Sequence, residues 1–262
     1  MTSDELGGVV DPFQAEQDKI DADAKNAENA EKEAGAEEAA ALEKARKEAE
    51  GLDIGKVDFK NTDKTASKAI NSGDEVDLAH NSDQALKHIM VGVGWDAPKT
   101  TGEDDEFDLD LSAFMVNGEE RVTQDEDFVF YNNLAPYQGA IRHHGDNSTG
   151  EGDGDDEMVI VALDQIPYSI EKIIFSVTIH EAFERAQHFG LTQNAYIRLV
   201  DMETNKEMLR FNLTEDASGK DAIIFGSVQR GVSSWAFTAT GEMTNGGLYK
   251  VAKEFGVYVA PT

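Results

Sequence analysis

Near residue 68 the periodicity of the chain changes, and the change divides it into two parts that cannot fold by the same rules. Beyond it, aromatic and β-branched residues fall in short runs separated by Gly, Asn and Asp. The runs His88–Gly94, Phe107–Val116, Asp127–Asn132, Met158–Leu163, Lys172–Ile179, Ala195–Asp201, Glu207–Leu213, Ala222–Gln229 and Ser234–Thr240 read as strands. Several alternate with a period of two. Ile173, Phe175, Val177 and Ile179 share one face, as do Trp235, Phe237 and Ala239. Many short strands with turn signals between them predict an all-β fold, a two-sheet antiparallel sandwich. Two helical pieces, Glu181–Phe189 and Leu248–Phe255, are expected to interrupt it.

Before the break, residues 14–50 are almost all Ala, Glu, Lys, Asp and Gln, with no Pro. The composition predicts an N-terminal α-helix. Ile20, Ala24, Ala27, Ala34, Ala41 and Ala45 make one weak apolar stripe. Alanine buries little area, so this stripe cannot support a core. A solvated tether is the plain reading, and self-association through the helix is the alternative. Residues 51–67 read as a polar connector. The expected organisation is therefore an acidic helix and linker over 1–67 and a sandwich domain over 68–262.

The charge narrows the function. The chain carries 52 Asp plus Glu against 23 Lys plus Arg, a formal net charge of −29. Such a chain repels nucleic-acid phosphate, and it meets an anionic membrane only through a bridging cation. Cysteine is absent, which excludes disulfides, thiolate metal sites and a cysteine nucleophile. The N-terminal stretch lacks the basic and apolar regions of a secretory signal. No run approaches the roughly 18 apolar residues of a membrane span. A cytoplasmic protein is the expectation.

The acids are not evenly spread. Gly145, Asp146, Asn147, Ser148, Thr149, Gly150, Glu151, Gly152, Asp153, Gly154, Asp155, Asp156 and Glu157 follow one another, holding six carboxylates and four glycines with no basic residue. Carboxylates packed so closely repel unless a cation neutralises them. Glycines let the backbone turn tightly and aim carbonyls inward. Carboxylate, amide and carbonyl oxygens together suit Ca2+ rather than Zn2+ or Mg2+. The loop is not an EF-hand, because Glu151 stands where the sharp-turn glycine belongs. Asp108 and Asp110 share one strand face, about 7 Å apart, and Asp96 closes a strand end. These are the further metal candidates. A metal-dependent hydrolase could use the same carboxylates, but paired catalysts need unlike environments, and this density of acids favours cation capture.

Other motifs fail. His180-Glu181-Ala182-Phe183-Glu184 has Glu where a zinc-protease motif needs its second His. His143 and His144 are adjacent, so on a strand they point to opposite faces, and both read as ordinary surface histidines. Gly92-x-Gly94 is too short for a phosphate loop.

Five further segments join the acidic loop in a recognisable order. They are Val91–Asp96, Phe107–Phe114, Asp127–Asn133, Asn194–Arg198 and Glu215–Ser218. From about Ile70 to Val259 the chain resembles the TerD family of tellurium-resistance and stress proteins. The resemblance implies a calcium-binding β-sandwich without an established reaction. It also implies a cytoplasmic location, at the inner face of the membrane, among other Ter-type stress proteins or a membrane-associated complex. The family's calcium ligands lie in the segments matched by Asp96, Asp108, Asp110 and the acidic loop. Typical members begin near the position of Ile70, so residues 1–67 are an addition whose role the resemblance does not supply.

Overall fold

A computed structural model describes residues 62–65, 67–69, 71–81, 84–96, 107–144, 147–150 and 154–259. The expected N-terminal helix and most of the linker lie outside the described residues. Two sheets carry the fold. The first is built from β1 (Lys68–Ala69), β4 (His88–Asp96), β7 (Ile141–His144), β8 (Glu157–Ala162), β10 (Gln193–Asp201) and β11 (Lys206–Asn212), in the order β1-β11-β10-β4-β8-β7. The second contains β2 (Glu75–Asn81), β3 (Gln84–Ala85), β5 (Leu109–Val116), β6 (Phe128–Val129), β9 (Lys172–Ile179), β12 (Ala222–Arg230) and β13 (Trp235–Thr244), in the order β3-β2-β13-β12-β9-β5-β6. All pairings within the two sheets are antiparallel except β1 with β11.

The alternation read in the sequence places the core. Val91 and Val93 of β4, Val159 and Val161 of β8, and Ile197 and Leu199 of β10 turn inward. They meet Leu109 and Leu111 of β5 and Phe175 and Val177 of β9 from the other sheet. β5 and β9 of the second sheet are buried on both faces. Two short α-helices are described, α1 (Leu213–Asp216) and α2 (Gly247–Glu254), and Phe114 and Ile174 point outward beneath α2 and join Val251, Ala252 and Phe255 in a second apolar cluster. Phe114 stacks on Phe128 at 4.6 Å and lies 5.0 Å from Phe255. No helix among the described residues is long and apolar enough to cross a membrane.

Three expectations need correction. The run Asp127–Asn132 yields only the two-residue β6, because Asp127 ends a 3-10 turn and its carboxylate accepts the hydroxyls of Thr123 and Tyr137. Asn133 then turns the chain, donating to the Phe128 carbonyl at 2.7 Å. The expected helix Glu181–Phe189 is a series of turns. Glu181 and Ala186 take left-handed φ values of 49° and 51°, which break the helical ladder. His143 is not a surface residue. It is 3% exposed, and its Nε2 lies 2.9 Å from the Leu111 carbonyl. β2 and β7 lie outside the strands expected from the sequence, because their short polar-rich runs, EVDLAHN and IRHH, have little apolar signal of their own. Pairing with β13 and β8 supplies what those runs lack.

Candidate metal centre

The acidic loop leaves β7 and returns into β8, and it folds against the end of β4 and the edge of β5. Its described part is tightly bonded. The Asn147 side-chain oxygen accepts from the Thr149 and Gly150 amides, both at 3.1 Å, and from the Thr149 hydroxyl. Its amide nitrogen donates to Asp156 Oδ1 at 2.7 Å. Gly150 presses on the Trp95 indole, where a Cβ would stand 2.3 Å from Nε1. The indole N–H donates to the Phe107 carbonyl at 2.9 Å, tying the loop to the chain just before Asp108.

The three acids that close the loop are each committed to the scaffold. Asp156 Oδ2 accepts the Trp95 amide at 2.8 Å. Burial pushes the Asp156 carboxyl above its usual range, and the nearby charges of Asp155 and Asp96 add to the shift. Glu157, at the start of β8, accepts the Leu111 amide at 2.7 Å, and the same oxygen lies 3.4 Å from His143 Nε2. Asp155 is fully buried against Arg198, whose Nε and Nη2 approach it at 2.8 and 2.6 Å. The Tyr196 hydroxyl donates to Asp155 at 3.0 Å and lies 2.9 Å from the Gly154 carbonyl. Behind this pair, Arg198 reaches Glu207, which Arg210 also holds. Room for Asp155 exists only because β4 has glycine at 92, where a Cβ would lie 2.6 Å from its carboxyl carbon.

Asp108 and Asp110 stand on the other side of the Leu111–Glu157 contact. Asp110 is 5% exposed, with Oδ2 3.8 Å from His180 Nδ1. Together with Tyr131, Asn132, Thr178 and His180 it lines a cavity of about 260 Å3. Thr178 faces Asp110 across the β5–β9 pairing, and its hydroxyl is buried with no hydrogen-bond partner. Asp108 is half-buried, and its carbonyl accepts the His180 amide at 2.9 Å. Asp96 is exposed at the end of β4 and accepts from Asn194 at 2.6 Å. Asp146, Glu151 and Asp153 lie outside the described residues. Among the described residues, no three His, Asp or Glu side chains form a metal-holding group.

The structure thus brings Asp110 and the end of the loop to one stretch of β5, although 46 residues separate Leu111 from Glu157. It assigns Asp155 to a buried ion pair rather than to an open oxygen. Sequence reasoning missed Arg198, Tyr196, Thr178 and His143. Arg198 had one available signal, an arginine amid the aliphatic residues of a strand. The donors around Asp110 are carboxylate, amide and hydroxyl oxygens, and the orphaned Thr178 hydroxyl adds one more. That set fits a hard cation of the calcium type.

A TerD domain model matches residues 67–255. The chain belongs to the TerD family. The TerD-family relatives include the tellurium resistance protein TerD of Serratia marcescens, 45% identical over 191 residues, covering 73% of this chain and 98% of the relative. General stress protein 16U of Bacillus subtilis is 42% identical over 191 residues, with coverage of 73% and 98%. A solved TerD homologue from Streptomyces coelicolor A3(2) superposes with a TM-score of 0.57 at 22% identity, covering 67% of this chain and all of that one. At that identity it speaks for the fold alone. Residues 1–66 precede the TerD match.

Proposed function

We propose that this chain is a calcium-binding, non-catalytic interaction protein acting in a stress response or in tellurite resistance. Its relatives' names supply the setting: tellurium resistance in Serratia marcescens and stress response in Bacillus subtilis. The observation that carries the calcium reading is the meeting of the acidic loop with β5 beside the Asp110–Thr178 cavity. Asp108, Asp110 and the loop acids Asp146, Glu151 and Asp153 would hold the ion. Asn147, Thr149, Gly150, Gly154, Asp156 and Glu157 set the course of the backbone between them. Bound calcium would supply positive charge that offsets the mutual repulsion of these carboxylates. The Asp155–Arg198 ion pair holds the loop's return into β8 in place without the ion.

The test is calorimetric titration of calcium into chelator-treated protein, followed by thermal unfolding. At a hundredfold excess over the dissociation constant, the ion stabilises the fold by about 2.7 kcal/mol. A melting temperature indifferent to both calcium and chelator removes the metal from the proposal. Partners follow from the same reading. Five carboxylates outweigh the two charges of one calcium ion, so other Ter-type stress proteins or the anionic headgroups of a membrane-associated complex would meet this chain of net charge −29 only as direct oxygen ligands of the ion.

A further inference from the structure

At the other end of β4 lies a second cavity, of about 520 Å3, a size typical of small-molecule sites. Lys87 lines it, one residue before β4 begins, whereas Asp96 ends that strand. Nine residues of strand separate the two ends by about 26 Å. This cavity is therefore independent of the proposed calcium site.

Its floor is apolar: Leu86, Leu163, Ile166 and Trp235 are all buried. Over the floor stands Arg230, the last residue of β12. Its guanidinium lies 4.2 Å from the Trp235 ring centroid and 5.1 Å from that of Tyr168. Nε donates to the Ile170 carbonyl at 3.2 Å, and Nη2 donates to the Ile166 and Pro167 carbonyls, both at 3.0 Å. These bonds clamp the loop after β8 and occupy the Nε and Nη2 side of the fork. Nη1 has no partner in the described protein. Among the described residues, no carboxylate lies within ion-pair distance of Arg230, whereas Arg198, Arg210, Lys172 and Lys250 each have one. Burial depresses the Arg230 pKa, with no carboxylate to restore it. In a chain of net charge −29, an arginine held over apolar walls without a counter-ion is an unusual arrangement.

The rim adds to the pattern. Tyr168 is 91% exposed and Val232 is fully exposed, so two large apolar groups stand in water beside the guanidinium. Lys87 brings one more positive charge, and Asp164 one negative. The lining therefore carries one net positive charge. That balance matches a single negative charge and, given the surrounding field, disfavours a dianion such as phosphate.

We infer that this cavity binds a monocarboxylate bearing an aromatic or branched apolar group, with its carboxylate on Arg230 Nη1 and its apolar body between Trp235, Tyr168 and Val232. A free small molecule and the C-terminus of a peptide share that chemistry. Arg230 is doubly used: one side of its fork holds the loop, and the other is left for the ligand. Charge-assisted hydrogen bonds give the anion its preference over a neutral analogue.

The experiment titrates isotope-labelled full-length protein with N-acetylphenylalanine and, separately, with its amide, following the Trp235 indole N–H by NMR. The acid gives a saturable shift with a Kd of about 1 mM or tighter, and the amide binds about tenfold more weakly. Lys87→Gln and Tyr168→Ala each weaken the acid several-fold, and both positions are exposed enough to leave the fold intact. Arg230→Gln abolishes the shift; should that variant unfold, the other two carry the test. An octapeptide ending in phenylalanine with a free carboxylate separates the sources. Tighter binding than the free acid assigns the site to a chain terminus, and equal binding assigns it to a small acid. Equal response to acid and amide, a shift that never saturates, or unchanged affinity in both Lys87→Gln and Tyr168→Ala overturns the inference and leaves Arg230 as a clamp on its loop.

Discussion

Asp155 and Asp110 carry the same side chain in opposite circumstances. Asp155 is fully buried against Arg198. Asp110 is buried beside a cavity and an unpartnered threonine hydroxyl. Removing Arg198 strands a buried charge, so Arg198→Met costs about 3–5 kcal/mol in urea unfolding. The double change Asp155→Leu with Arg198→Met recovers most of that loss, because no uncompensated charge remains. Asp110→Ala instead weakens calcium binding about tenfold or more, while Glu75→Ala, on an exposed strand position, leaves it unchanged. Equal small losses at both positions, vanishing together at high salt, would mark a diffuse acidic surface. Glu207 sets a pH dependence. Burial alone would raise its carboxyl pKa, but hydrogen bonds from Arg210, Ser67 and Arg198 outweigh burial and hold it down from 4.5 to about 2. A depressed acid stabilises the fold fully above its unfolded value and loses that contribution as pH falls through the folded one. The melting-temperature gap between wild type and Glu207→Gln is therefore widest above pH 4.5 and closes towards pH 2.

Among the elements, α2 shows how a short helix earns its place by packing. Gly246 and Gly247, both at positive φ, open it, and its buried face is Val251 and Ala252. Phe255, just past its end, meets Phe114 and thereby covers part of the outer face of β5, the face that also carries Asp110. Phe255→Ala opens a cavity there and costs about 3 kcal/mol by denaturant unfolding. It also lowers calcium affinity more than Phe183→Ala, which removes an exposed ring that belongs to no core cluster. Of the two helical pieces expected from the sequence, Leu248–Phe255 corresponds to α2. Glu181–Phe189 does not form, because two residues there adopt left-handed backbone that no pattern of apolar residues announces.

For the whole molecule, the buried residues of all three apolar clusters seen among the described residues begin at Leu78 or beyond. The earliest described contacts are the Asp63 amide with the Asn205 carbonyl and the Glu207 amide with the Asp63 carbonyl, both at 2.9 Å. Removing residues 1–60 therefore leaves a folded, calcium-responsive domain, checked by near-ultraviolet circular dichroism with and without calcium. Loss of the tertiary signal would show that the acidic N-terminal part is needed for packing. The sequence by itself determined the sandwich class, most strands, the inward faces and the concentration of acids into one loop. Each of these is a local property, written in a period of two or in the composition of a few neighbouring residues. Only the tertiary structure decided which acids are spoken for. Arg198 reaches Asp155 across 43 residues, and Leu111 reaches Glu157 across 46. Such partners are chosen by strand order and register, which depend on how two sheets close over a shared core, and no local pattern encodes that choice.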